Sequence, residues 1–182
     1  MSRIRIAAAV LVATAVLAAC SSGTKAAGPS DTTTRPVVET NAAVVSVSTK
    51  MICGEAAQDI AKVLGTTTTQ PLVPKWKDHV YSCDYVYPHG VMHLSVKQLD
   101  RATATGAYFR GLRSQLGERL VLNGLGEGAF TTTHDSVVVR KDSKVLVVDT
   151  HALPAMFGTP PDTRTNVAIS VAAAIMGCWT GG

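Results

Sequence analysis

The chain has 182 residues, of which 46% are hydrophobic and 16% charged, with a formal net charge of +4. That length supports one ordinary domain with a real core, and the charge is too small to argue for nucleic-acid binding. Four cysteines make the redox compartment the first question to settle.

Arg3 and Arg5 form a short positive start, and Ile6 to Ala19 is apolar except for Thr14. A bilayer span takes about 20 residues, so this run is too short to cross one. It has the length of the apolar segment of a signal peptide. Leu17-Ala18-Ala19-Cys20 closes it and resembles the bacterial lipobox. That likeness covers the signal peptide only. It implies cleavage before Cys20, a thioether link from Cys20 to diacylglycerol, and Cys20 as the first mature residue. Each buried methylene contributes about 0.8 kcal/mol, so two or three acyl chains anchor a protein stably without a transmembrane helix. Loss of residues 1–19 removes two arginines and leaves 15 cations against 13 acids, a net charge of +2. This favours an anionic membrane surface only slightly. No later apolar run is long enough to suggest a second span.

Ser21 to about Thr49 is rich in Ser, Thr, Ala, Gly and Pro and poor in large apolar residues. Such a segment buries too little surface to offset chain entropy and reads as a flexible tether. Its Thr-rich, Pro-flanked part has the composition of an O-glycosylated stalk and equally of a plain spacer. The boundaries are therefore 1–19 signal peptide, 20–49 lipid-anchored tether and 50–182 extracytoplasmic domain. Within the tether, "AAVVSVS" at 42–48 reads as a short edge strand.

"CGEAAQDIAKVLG" places Cys53, Ala56, Ala57, Ile60 and Leu64 at helical spacing, with Gly65 suited to follow the last turn. "TTTTQPLVPKWKDH" reads as a loop. "VYSCDYVY" and "GVMHLSVKQL" alternate and predict a hairpin around Pro88-His89-Gly90. In its first strand Tyr81, Cys83, Tyr85 and Tyr87 share a face. In its second, Met92, Leu94 and Val96 do. A second helix is expected over 101–119, with Asp100 as N-cap and Ala104, Tyr108, Leu112, Gln115 and Leu116 grouped together. "GLGEGA" lacks the G-x-G-x-x-G spacing and precedes strand-like residues, so it reads as a tight turn rather than a phosphate loop. "FTTTHDSVVVRKDSKVLVVD" reads as two or three strands, the last pair joined at Asp142-Ser143. A Pro/Gly loop leads to a helix from about Asp162 to Cys178, with Val167, Val171, Ile175 and Cys178 on one face. The expected fold is α+β: an antiparallel sheet of about four or five strands packed with about three helices.

Outside the membrane, spare thiols tend to pair. Cys53 and Cys83 meet if the first helix packs on the sheet, leaving Cys178 as a buried thiol on its helix's apolar stripe. Cys53–Cys178 and Cys83–Cys178 remain open. No C-x-x-C or G-x-S-x-G signature is present, and no catalytic residues are assigned. His89 and His93 fall on one strand face with Asp84 or His79 near. Zinc wants three or four convergent ligands, so neither a metal nor any other cofactor is expected. Trp76, Tyr81, Tyr85 and Tyr87 form the candidate ligand groove, against the alternative that they are core beneath the first helix. Trp179 is expected to be a packing plug or partly exposed.

"KVLG" closing a cysteine-led helix, "SCDY" on the first strand, "GLGEGAF" before "VVVRKDSKVLVV" and a final Ala/Val-rich helix together resemble the DUF3558 family of small actinobacterial lipoproteins. The likeness covers roughly residues 51–178. It implies an exported α+β domain with a helix-to-strand disulfide, which maps onto Cys53 and Cys83. Cys178 departs from the pattern. The resemblance carries no established activity and no catalytic residues. The expectation is a lipid-anchored, non-catalytic binding or adaptor module on the extracytoplasmic face of the cell membrane, contacting an envelope lipid, glycan or protein. An accessory subunit of an export or sensing complex is the alternative, and an envelope enzyme the less favoured one.

Overall fold

The structure, a computed structural model, describes residues 44–179. Cys20, the signal peptide and the tether up to residue 43 lie outside the described residues. The elements run α1 (Val47–Lys50), a 3-10 turn (Met51–Cys53), α2 (Ala56–Leu64), β1 (Lys75–Lys77), β2 (Val80–Tyr87), β3 (Gly90–Gln98), α3 (Ala102–Leu116), β4 (Glu118–Leu122), β5 (Gly128–Thr132), β6 (Val137–Lys141), β7 (Lys144–Asp149), β8 (Met156–Phe157), β9 (Asp162–Thr163) and α4 (Arg164–Cys178). The fold is α+β. Its main sheet has seven strands in the order β1-β2-β3-β7-β6-β5-β4, every pairing antiparallel. The sheet is wider than the four or five strands expected, because both of its edges were hidden. β1 is three residues inside the proline-bounded loop, and β4 starts in the last two residues of what reads as a helix and runs on through Leu122.

Two meanders build the sheet. β1, β2 and β3 turn back on themselves, and so do β4 to β7. α3 carries the chain from β3 to the far edge, and β7 then docks beside β3. The tips are the ones that local chemistry dictates. Tyr87 pairs with Gly90 across Pro88-His89, and Lys141 pairs with Lys144 across Asp142-Ser143. Gly126 has φ 62°, and a Cβ there would lie 2.5 Å from the Arg140 carbonyl oxygen, so this turn accepts only glycine without displacement.

Strand alternation sorts side chains to two faces. On one face Cys83, Tyr85, Tyr87, Met92, Leu94, Val96, Val137, Val139, Leu146 and Val148 pack under α2 and α4 as the main core. On the other, Phe130, Val138 and Val145 meet Phe109 and Leu112 of α3. α3 contacts β5, β6 and β7, so on that face the β2–β3 half keeps a half-exposed row: Ser82, Asp84, Val86, Val91, His93 and Ser95.

Several local expectations change once packing acts. α3 stops at Leu116 because Gly117 takes a left-handed conformation (φ 67°) and the chain enters β4. Its buried side is Thr105, Gly106, Phe109 and Leu112, while Ala104, Tyr108 and Gln115 face outward. Phe109 and Phe130 stack edge-on with centroids 5.2 Å apart, and that contact turns the helix one position away from the grouping expected. The N-cap is Arg101, not Asp100, and the Arg101 side chain makes no capping hydrogen bond. Residues 47–50 are helical rather than an edge strand, because Ser46 Oγ accepts from the Thr49 N–H and caps the turn. Asp162 and Thr163 form a short strand before α4 begins at Arg164. Trp179 is the plug expected: it is buried, and its Nε1 donates to Asp142 Oδ2 at 3.3 Å.

Candidate functional site

A cleft of about 590 Å³ opens at the end of the sheet. Three pieces of chain form it. The β1–β2 turn contributes His79, the end of β3 contributes Lys97 and Gln98, and the stretch into α3 contributes Asp100, Arg101 and Thr103. The turn is fixed by its backbone. Asp78 and His79 both have positive φ, 51° and 61°, the pattern of a two-residue hairpin turn whose twist suits antiparallel strands. A left-handed conformation is costly for a non-glycine residue, about 1–2 kcal/mol, so the surroundings must hold His79 there. They do so from three sides. His79's carbonyl accepts from the Gln98 N–H at 2.9 Å, Lys97 Nζ donates to the Asp78 carbonyl at 2.5 Å, and the His79 ring stands edge-on to Trp76 at 6.0 Å.

Gln98 has a second role. It is the last residue of β3, 1% exposed, and its side chain reaches back to the start of the domain. Its Oε1 accepts from the Ser46 N–H and the Thr49 hydroxyl, both at 3.1 Å, and its Nε2 donates to the Val44 carbonyl at 2.8 Å. The wall of the cleft is therefore also the point at which the N-terminal segment joins the sheet, and the packed chain begins before residue 50. Alternation along β3 marks Gln98 as inward-facing. Nothing in the sequence marks the partners it would meet there.

A second polar group lies on the half-exposed sheet face. Asp84 and His93 are register partners, with Oδ1 and Nδ1 2.7 Å apart, and Lys75 Nζ lies 3.2 Å from Asp84 Oδ2. The bond to His93, aided by Lys75, holds the Asp84 carboxyl below its ordinary pKa against a smaller opposing push from burial. One strand further, His93 pairs with Asp149. Burial alone would raise Asp149. The His151 N–H, the His151 ring and Ser136 Oγ more than offset it and hold the carboxyl low. Ser136 Oγ donates to Asp149 at 3.0 Å rather than to a ring nitrogen, so this group lacks the histidine-to-hydroxyl contact that activates a nucleophile. His89 sits in the hairpin turn, and among the described residues no group of three or more His, Cys, Asp or Glu is placed to hold a metal ion.

Of the residues singled out from sequence, Cys53 and Cys83 form a disulfide with Cα atoms 5.9 Å apart. The alternatives Cys53–Cys178 and Cys83–Cys178 are overturned, and so is the expectation of Cys178 as a leftover thiol: at the far end of α4, half-buried and with its Sγ 3.4 Å from Asp59 Oδ2, Cys178 is itself disulfide-bonded, and none of the described cysteines is free. Cys53 belongs to the 3-10 turn before α2 rather than to a helix. Tyr85 Oη donates to the Ile52 carbonyl at 2.6 Å beside it. The four aromatics do share a face, since Trp76 pairs with Tyr81. Packing divides them. Tyr85 and Tyr87 are core residues whose hydroxyl pKa values burial raises well above the usual range, and together with α2 and Thr66–Thr68 they line a pocket of about 200 Å³. Trp76 and Tyr81 stay half-buried, and Trp76 borders the larger cleft through His79.

Among the described residues no helix is long and apolar enough to cross a membrane. No protein-family model, no curated protein and no solved structure matches this chain.

Proposed function

We propose that the mature chain is a lipid-anchored binding or adaptor module on the extracytoplasmic face of the cell membrane, non-catalytic, and that the cleft between His79 and Arg101 is its contact site. The observation that carries this is the cleft itself, about 590 Å³, with His79, Lys97, Asp100, Arg101 and Thr103 among its lining residues. That lining suits a polar partner, such as a glycan, a headgroup or a polar protein segment, better than a buried acyl chain. The lipobox and the likeness to DUF3558 lipoproteins support the location. The half-exposed Asp84–His93 and Asp149–His151 pairs lie on a strand face rather than in the cleft, which favours binding over catalysis.

The accessory-subunit reading has its own support. β4 is an open edge strand with Leu120 58% and Val121 48% exposed, and such an edge invites a partner strand.

Native mass spectrometry tests the proposal on the mature chain with Cys20→Ser, exported and purified from an actinobacterial host. Additional non-covalent mass that is lost in an Arg101→Glu variant supports the cleft. A bare mass sinks it and favours the accessory subunit.

A further inference from the structure

The end of the domain that carries the cleft is also the end at which the N-terminal segment joins. Gln98 fastens Val44, Ser46 and Thr49 there, and Lys97 and Arg101 stand beside it in the cleft. Two apolar side chains project outward from the same segment, Val44 at 65% and Val47 at 77% exposed. Lys50 closes α1 and is exposed as well. We infer that Val44, Val47, Lys50, Lys97 and Arg101 form a docking surface for an anionic phospholipid bilayer, a second and non-covalent membrane contact that rests on reading Cys20 as the lipid anchor.

Chain length makes the surface usable. Twenty-three residues, 21–43, separate Cys20 from Val44. Even fully extended, a chain of that length reaches no more than about 80 Å, so an anchored domain stays within that distance of the bilayer. At the resulting effective concentration, an intrinsically weak surface is substantially engaged. The chemistry also fits: exposed valines enter the boundary between headgroups and acyl chains, while the cations meet phosphates around them. Asp78 and Asp100 lie at the same end and temper the positive charge. The surface consequently needs a strongly anionic bilayer and salt screens it.

The test uses the mature chain with Cys20→Ser, which carries no acyl group, in co-sedimentation with vesicles. Binding is expected to phosphatidylglycerol mixed with phosphatidylcholine at low salt, and not to phosphatidylcholine alone. Lys97→Glu with Arg101→Glu should lower partitioning at least about 10-fold, and Val44→Asp with Val47→Asp should lower it comparably. Lys62→Glu on α2, remote from this end, should leave it unchanged. Absence of binding to the anionic vesicles, or an equal loss with Lys62→Glu, overturns the surface. Circular dichroism on each variant separates loss of binding from loss of fold. The anchor fails separately: a Cys20→Ala protein that stays on cell membranes after Lys97→Glu and Arg101→Glu are added defeats the lipobox reading. One that is released while the anionic vesicles bind nothing defeats the docking surface alone.

Discussion

The hydroxyl of Thr49 donates to Gln98 Oε1 at 3.1 Å, joining α1 to the last residue of β3 with both side chains buried. The same carboxamide serves Ser46 and Val44, so one residue fastens the chain at 44, 46 and 49. Gln98→Leu keeps the volume and removes every bond. It should lower the unfolding free energy by about 1–3 kcal/mol, the cost of unpaired buried polar groups. Hydrogen exchange should show amides of residues 46–50 opening before the rest. A variant with wild-type stability and protection would mean that the segment is held by packing alone.

The Cys53–Cys83 bridge spans 30 residues. In the chain-entropy account such a loop contributes about 3–4 kcal/mol. The double variant Cys53→Ala, Cys83→Ala should lose roughly that amount in urea denaturation. It should still fold, because the Tyr85–Ile52 hydrogen bond keeps the 3-10 turn against β2.

Lys144 is 1% exposed, and its Nζ has no hydrogen-bond partner among the described residues. Burial pushes its pKa down, and Asp142 only partly opposes this. A lysine with a lowered folded pKa weakens the fold while it is charged. Stability should therefore rise as pH climbs through the folded value toward the unfolded one near 10.5. Lys144→Met removes the buried charge and should stabilise by about 1–2 kcal/mol near neutral pH. The gap in melting temperature between variant and wild type should narrow as pH rises toward 10.5. A variant less stable than wild type at neutral pH would show that the ammonium is solvated or paired.

Asp84 and Asp149 are both held below the ordinary carboxylate range. Groups shifted this way stabilise the fold above their unfolded pKa, near 4, and the gain disappears as pH falls through the lower folded values. The melting temperature should drop steeply below about pH 4. In the double variant Asp84→Asn, Asp149→Asn the drop should be visibly shallower. Parallel curves for the two proteins would place the acid-sensitive groups elsewhere.

Local rules recover much of this fold from sequence. α2 and its Gly65 stop, the Pro88-His89 hairpin and the Asp142-Ser143 turn follow from side-chain period and turn chemistry within a few residues. The aromatic face of β2 is equally legible, since alternation alone puts Tyr81, Cys83, Tyr85 and Tyr87 on one side. The candidate site is not. His79, Lys97, Gln98 and Arg101 come from a turn, a strand end and a loop, and no spacing among them announces a cleft.

The sequence by itself determined α2 and its stop, the two hairpin turns, the aromatic face of β2 and the α+β class, because short-range periodicity and turn chemistry carry that information. Only the tertiary structure decided that β7 docks beside β3, that Phe109 rather than Tyr108 turns inward, that Cys53 meets Cys83, and that Gln98 binds the start of the domain. Each of these is a contact between residues far apart in the chain, chosen by which surfaces bury together, and a one-dimensional pattern does not encode which distant surface its apolar face will meet.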